Sequence, residues 1–141
     1  MRTVFVFPGY EQVTVSALLD GLSPAQSNPW VVDDNLYVDL RTEHTGMYDD
    51  WDVEDITRLT LAAGRRPTWG ITVDVSGRID GTSEVRGLVL TILGDGGVAV
   101  DDYSGHAWTS EEIAANVMID GLRFFDFKTY HQRSGDAPIR D

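Results

Sequence analysis

Between Asp33 and Asp55 the chain places nine carboxylates (Asp33, Asp34, Asp39, Glu43, Asp49, Asp50, Asp52, Glu54 and Asp55) against one base, Arg41. That segment has a net charge of −8, two-thirds of the −12 carried by all 141 residues. Carboxylates at this density stay in water unless they are paired, so the segment reads as solvated surface with only alternate positions left for a core. Leu36, Val38 and Leu40 hold those positions, at the spacing of a half-buried strand.

The remaining elements follow from periodicity and punctuation. Thr3 to Phe7 reads as a strand closed by Pro8-Gly9, and Val13 to Leu19 as a short helix stopped at Gly21. Residues 23–29 are loop-like, and Trp30 to Val32 is a second strand. The next helix has a clearer start, with Asp52 as N-cap, Asp55 at the third helical position, and Ile56, Leu59 and Ala63 on one apolar stripe. Gly64 and Pro67 end it, and Trp51 is placed to staple against Ile56.

From Trp69, the alternation of Ile71, Val73 and Val75 with Thr72, Asp74 and Ser76 predicts a strand with one wet face. Asp80-Gly81 reads as a hairpin turn, and Val85 to Leu93, apolar on both faces, as a central strand. Gly94-Asp95-Gly96-Gly97 then turns the chain into a third strand at Val98 to Val100. A last helix starts at Thr109 with Glu112 completing a capping box; Trp108 faces Ile113, Val117 and Met118 point inward, and Gly121 is the stop. The two helix starts at Trp51 and Trp108 share one capping design without a duplicated domain around them. The expected fold is α+β: an antiparallel β-meander with two to three helices on one face, a single domain over 1–127, and a flexible tail over 128–141.

A chain of this length buries a core without staples, and the absence of cysteine removes disulfides, thiolate zinc sites and cysteine nucleophiles together. Met1 leads straight into Thr3 to Phe7 with neither a basic leader nor a long apolar run, which predicts a cytoplasmic protein that does not engage membranes. The acidity argues against direct contact with nucleic acid, where cations must neutralise phosphates.

No catalytic or cofactor signature stands out. The adjacent pairs Asp33-Asp34, Asp49-Asp50 and Asp101-Asp102 lack EF-hand spacing, and neighbours on a strand point to opposite faces. Ser104, His106 and Asp101 imitate a triad in composition, but a triad draws its members from separate segments; a hydrogen-bonded turn that delivers Trp108 accounts for them. The glycines at 94–97 lack the lysine and the following helix of a phosphate loop. More informative are the aromatics among the acids. Rings beside carboxylates suit a surface facing arginine and lysine, which makes Asp33, Asp34, Tyr37, Glu43, Tyr48, Asp49 and Asp50 the candidate partner-binding residues.

The string from Gly97 to Ile113, with Val100-Asp101-Asp102-Tyr103 and Trp108-Thr109-Ser110-Glu111-Glu112-Ile113 at its centre, resembles small acidic bacterial immunity-like proteins of polymorphic toxin systems. The resemblance covers the second half of the chain. It implies an inhibitor that occludes a basic, toxin-like partner by imitating phosphate with carboxylates, without cofactor or catalysis. Two readings from other classes stand beside it: a structural or accessory protein of a phage or secretion assembly, and a small metal-dependent hydrolase.

Overall fold

The computed structural model describes residues 2–133. Six strands, β1 (Arg2–Phe7), β2 (Trp30–Val32), β3 (Leu36–Thr42), β4 (Trp69–Val75), β5 (Val98–Asp101) and β6 (Trp108–Thr109), form one sheet. Its order is β2-β3-β4-β1-β5-β6, and every neighbouring pair is antiparallel. The helices are α1 (Gln12–Leu22), α2 (Val53–Ala63), α3 (Thr82–Leu93), α4 (Ser110–Ala115) and α5 (Phe127–Arg133), with a 3-10 turn at Glu43–Thr45. The fold is α+β, as the pattern predicts. No helix among the described residues is long and apolar enough to cross a membrane.

Alternation along the strands gives the sheet two different faces. Val4, Val6, Ile71, Val73, Val75, Leu36 and Val38 are buried on one face against Val15 and Leu19 of α1 and Val85, Val89 and Ile92 of α3, with Ile113 of α4 in the same core. Helices therefore cover this face as expected. The opposite face is covered only in part: Phe7 and Val98 pack against Leu59 of α2 and Met47, with Phe5, Tyr48, Trp51 and Val100 around them. Helix α2 thus lies on the other side of the sheet from α1 and α3.

The expected meander is broken at one place. Val85 to Leu93 is not a central strand but most of α3, and Asp80-Gly81 is not a hairpin turn but the start of that helix. The reason is topological. Strands β4 and β5 both pair antiparallel with β1, which lies between them, so they run in the same direction and no hairpin can join them. The connection must cross over the sheet, and a helix is the usual crossover. Asp80 accepts hydrogen bonds from the Thr82 amide (3.1 Å) and hydroxyl (2.5 Å), satisfying first-turn donors. The residues at 94–97 join helix to strand, and glycine is required there: a β-carbon on Gly97 would lie 2.5 Å from the Leu93 carbonyl oxygen.

Smaller departures have local causes. Helix α1 runs through Gly21 to Leu22 and ends at Ser23. The Asp52 cap and the Gly64 terminus of α2 are as expected, and Ile56 is only half-buried, outside the cluster that holds Trp51. Helix α4 keeps its Thr109–Glu112 capping box yet stops at Asn116, in left-handed conformation, well before Gly121. Val117 and Met118 consequently point outward. The segment expected to fray from 128 onward is helical to Arg133, with Tyr130 against Tyr103 (ring centroids 5.3 Å apart); the rest of that tail lies outside the described residues.

A helix at 82–93 has a direct consequence. Gly87 is exposed in its middle with nothing within 4 Å of an added β-carbon. Replacing glycine inside a helix removes backbone freedom from the unfolded chain, so Gly87→Ala should raise stability by about 0.5–1 kcal/mol. Urea denaturation measures it; no gain in midpoint would contradict a helix there.

Candidate functional site

The half-covered face of the sheet carries the site. Phe5 and Phe7 of β1 project from it, and Trp51 meets both edge-on, with ring centroids 5.2 and 5.7 Å away; Tyr48 adds a third edge contact at 5.5 Å. Trp51 is brought there because the 3-10 turn and the following loop fold back over the sheet. The Met47 amide donates to the Thr42 carbonyl, and the Trp51 amide to that of Tyr48.

Two hollows meet at Thr3, Phe5, Asp50 and Trp51. The larger, about 370 Å³, runs between α2 and the turn after β5, with Leu59 and Val100 adding to its apolar lining. The smaller, about 190 Å³, opens toward β3 and β4. Asp50, Asp55, Asp101 and Asp102 line the first, with Arg58 the only cation; Asp50 and Asp74 line the second, with Arg41. The groove therefore has an apolar, aromatic floor and an acidic rim.

Thr3 holds two of these acids in place. Its amide donates to Asp102 Oδ2 (2.9 Å), and its hydroxyl donates to Asp74 Oδ1 (2.5 Å) across the β1–β4 pairing. Partial desolvation pushes the Asp102 carboxyl above its ordinary range, opposed by the Thr3 N–H and reinforced by the negative charge of Asp74. A cation arriving here would relieve that repulsion.

Asp101 has a different task. It is buried, and its carboxylate accepts from the amides of Tyr103 (3.0 Å), Ser104 (3.2 Å) and Phe125 (2.6 Å). Burial raises its pKa, and the three N–H donors pull the other way. The first two bonds shape the turn that leads to Trp108, as the sequence suggests; the third clamps Phe125, fully buried with a φ of 58°. Within that turn the Ser104 hydroxyl accepts from the His106 amide, while the His106 ring faces Glu112 at 2.9 Å. Serine and imidazole thus do not form a relay. Among the described residues, no three histidine, aspartate or glutamate side chains converge closely enough to hold a metal ion.

The seven residues singled out from sequence are not brought together. Asp33 and Asp34 form the exposed β2–β3 turn with positive φ, and Arg78 donates to the Asp34 carbonyl (2.9 Å) and to the Tyr37 hydroxyl (3.2 Å). Glu43 pairs with Arg66 at 2.9 Å, at the other end of β3, about 20 Å away along the strand. Tyr48 is committed to the fold: its hydroxyl donates to the Pro67 carbonyl (2.7 Å), the Arg66 guanidinium lies 4.9 Å from its ring centre, and burial pushes its pKa up to about 12. Asp49 is exposed beside the Gly46 turn. Of the seven, Asp50 alone lines the groove. Its other acids, Asp55, Asp74 and Asp102, come from three separate segments. The signal available for them was weak: Asp74 sits on the wet side of an alternating strand, and Asp102 in an acid pair.

Two measurements follow. Removing the Asp101 carboxylate strands three amide donors, so Asp101→Ala should cost about 3 kcal/mol or more, and Asp101→Asn, which turns an NH₂ toward a donor, about 2 kcal/mol; denaturant unfolding would show both, and an unchanged midpoint would remove Asp101 from this role. Tyr48 and Tyr103 are both raised, chiefly by burial, from 10 to about 12. The folded state therefore holds those protons more tightly than the unfolded one, and the stability they contribute is complete below pH 10 and lost as pH rises toward 12. Tyrosinate absorbance should show two late-titrating groups, and alkaline unfolding should parallel them.

Set against family models, curated proteins and solved structures, the chain matches none, and the groove stands on its own geometry.

Proposed function

We propose that this chain is an acidic protein-binding module that receives a cationic segment of a basic partner in the groove beside Trp51, acting as an immunity-like inhibitor that occludes the partner's basic site. One observation carries the reading: Asp50, Asp55, Asp74 and Asp102 rim a groove floored by Phe5, Trp51, Leu59 and Val100. Apolar area supplies affinity, and carboxylates around it select positive partners and exclude negative ones. The chain's charge of −12 would steer such a partner inward.

The reading moves the interface away from most of the acidic run. Tyr48 and Glu43 are already engaged within the fold, and Asp33 and Asp34 lie at the far end of β3. The assembly alternative relies on open strand edges. Here the two edge strands are only three and two residues long, β2 and β6, and short edges are poor templates for a further strand.

The test compares the wild-type chain with Asp50→Asn/Asp55→Asn/Asp102→Asn as bait for the basic proteins of its source cell. A partner of the proposed kind binds the wild type, is released by salt, and loses at least about tenfold in affinity for the triple variant, equivalent to 1.4 kcal/mol. Equal affinity for both baits, with both folded by circular dichroism, would place the interface elsewhere.

A further inference from the structure

We infer that the groove is a guanidinium site, bordered by Arg58 in the free protein and occupied by an arginine of the partner. The inference rests on the protein-binding reading above and names the group that is bound.

Arg58 is held unlike four other arginines of the chain. Arg2, Arg78, Arg86 and Arg133 each donate to main-chain carbonyls, with distances such as 2.6 Å to Ile79, 2.9 Å to Asp34, 2.9 Å to Ile113 and 2.7 Å to Asp120. Those side chains are parts of the fold. Arg58 has no such anchor. It leans on Asp55 at 3.5 Å and Glu54 at 3.8 Å, both longer than a formed charge-assisted hydrogen bond, and its side chain is 53% exposed. Arg66, equally exposed at 52%, closes to 2.9 Å on Glu43. Exposure alone therefore does not account for the loose seat of Arg58.

The seat itself is shaped. A β-carbon on Gly105 would lie 2.6 Å from Arg58 Nη1, so the planar head rests against bare backbone on the far wall of the groove. Asp50, Asp55 and Asp102 line the same hollow, as do the rings of Trp51 and Phe5. A guanidinium can stack on rings while pairing with carboxylates through its fork of donors; an ammonium is a more strongly hydrated point charge with no planar face. The acids outnumber the one cation in the larger hollow. Charge complementarity thus calls for a further positive group. Rings and carboxylates in one lining favour a planar guanidinium over an ammonium. An arginine from a partner can use carboxylates that Arg58, tethered to α2, does not reach, and Arg58 then swings into solvent at little cost.

The experiment is an NMR titration of the isotope-labelled full chain with acetyl-Gly-Arg-Gly-amide and with its lysine counterpart, at about 0.15 M salt to screen diffuse attraction. Both probes carry one positive charge, so a difference between them reports shape. The expected result is that the arginine probe shifts the Trp51 indole and Gly105 amide signals and binds roughly fivefold or more tighter than the lysine probe. Arg58→Ala should tighten the arginine probe about threefold or more, and Arg41→Ala, which removes the same charge from the smaller hollow, should fall short of that gain. Equal affinity for the two probes, or equal gains from the two alanine variants, overturns the guanidinium assignment while the groove survives as a general cation-binding surface. No shift at Trp51 or Gly105 with either probe overturns this inference and the groove reading together.

Discussion

Everything in this fold depends on β1 lying in the middle of the sheet. A strand bonded on both edges and covered on both faces must supply apolar side chains in both directions, and Arg2–Phe7 does: Val4 and Val6 face α1 and α3, while Phe5 and Phe7 face Trp51 and Leu59. Its place between β4 and β5 also dictates the crossover through α3. Arg2 locks the start of the strand to the connection after β4, donating to the carbonyls of Ser76 (3.0 Å), Ile79 (2.6 Å) and Asp80, with its guanidinium 4.7 Å above the Phe127 ring. The strand that opens the chain is thus tied to the helix that closes its described part.

The groove is a by-product of unequal coverage. On one face, two long helices complete the core. On the other, α2 and the loop carrying Trp51 cover only part of the sheet, and the polar residues of β3 and β4 stay open. Positions that must be wet are free to be acidic, and Thr3 between Asp74 and Asp102 shows how the sheet tolerates it: each carboxylate takes a hydrogen bond from the strand between them. Asp101, one residue away from Asp102, is buried and spends its carboxylate on the amides of Tyr103, Ser104 and Phe125. Adjacent carboxylates at the end of β5 therefore divide between the fold and the groove rim.

The strands β1, β2, β3 and β4, the Asp52 and Thr109 caps, and the turn after β5 were legible because each rests on neighbours within a few residues. Helix α3 was misread although its buried residues, Val85, Leu88, Val89, Ile92 and Leu93, follow helical spacing. The half-buried Leu90 and the richness in Val, Leu and Ile disguised the period, and the preceding Asp80-Gly81 imitated a hairpin. Tertiary placement decided between the two readings. For the site, Asp50 of the acidic run lines the groove, whereas Trp51 was expected only as a helix staple, and Tyr48, expected on the exposed face, has its ring and hydroxyl engaged in the fold.

Local chemistry alone thus settled the α+β character, the starts of α2 and α4 and the surplus of carboxylates, because capping, alternation and charge act over short stretches of chain. Which carboxylates share a groove was decided by the sheet order. Asp50, Asp55, Asp74 and Asp102 are scattered along the chain and meet only because β1 draws β4 and β5 to its two sides and α2 folds over the same face. The acids at 33–34 and 43, members of one acidic run, were parted because an extended strand carries its two ends far from each other, however dense the charge between them.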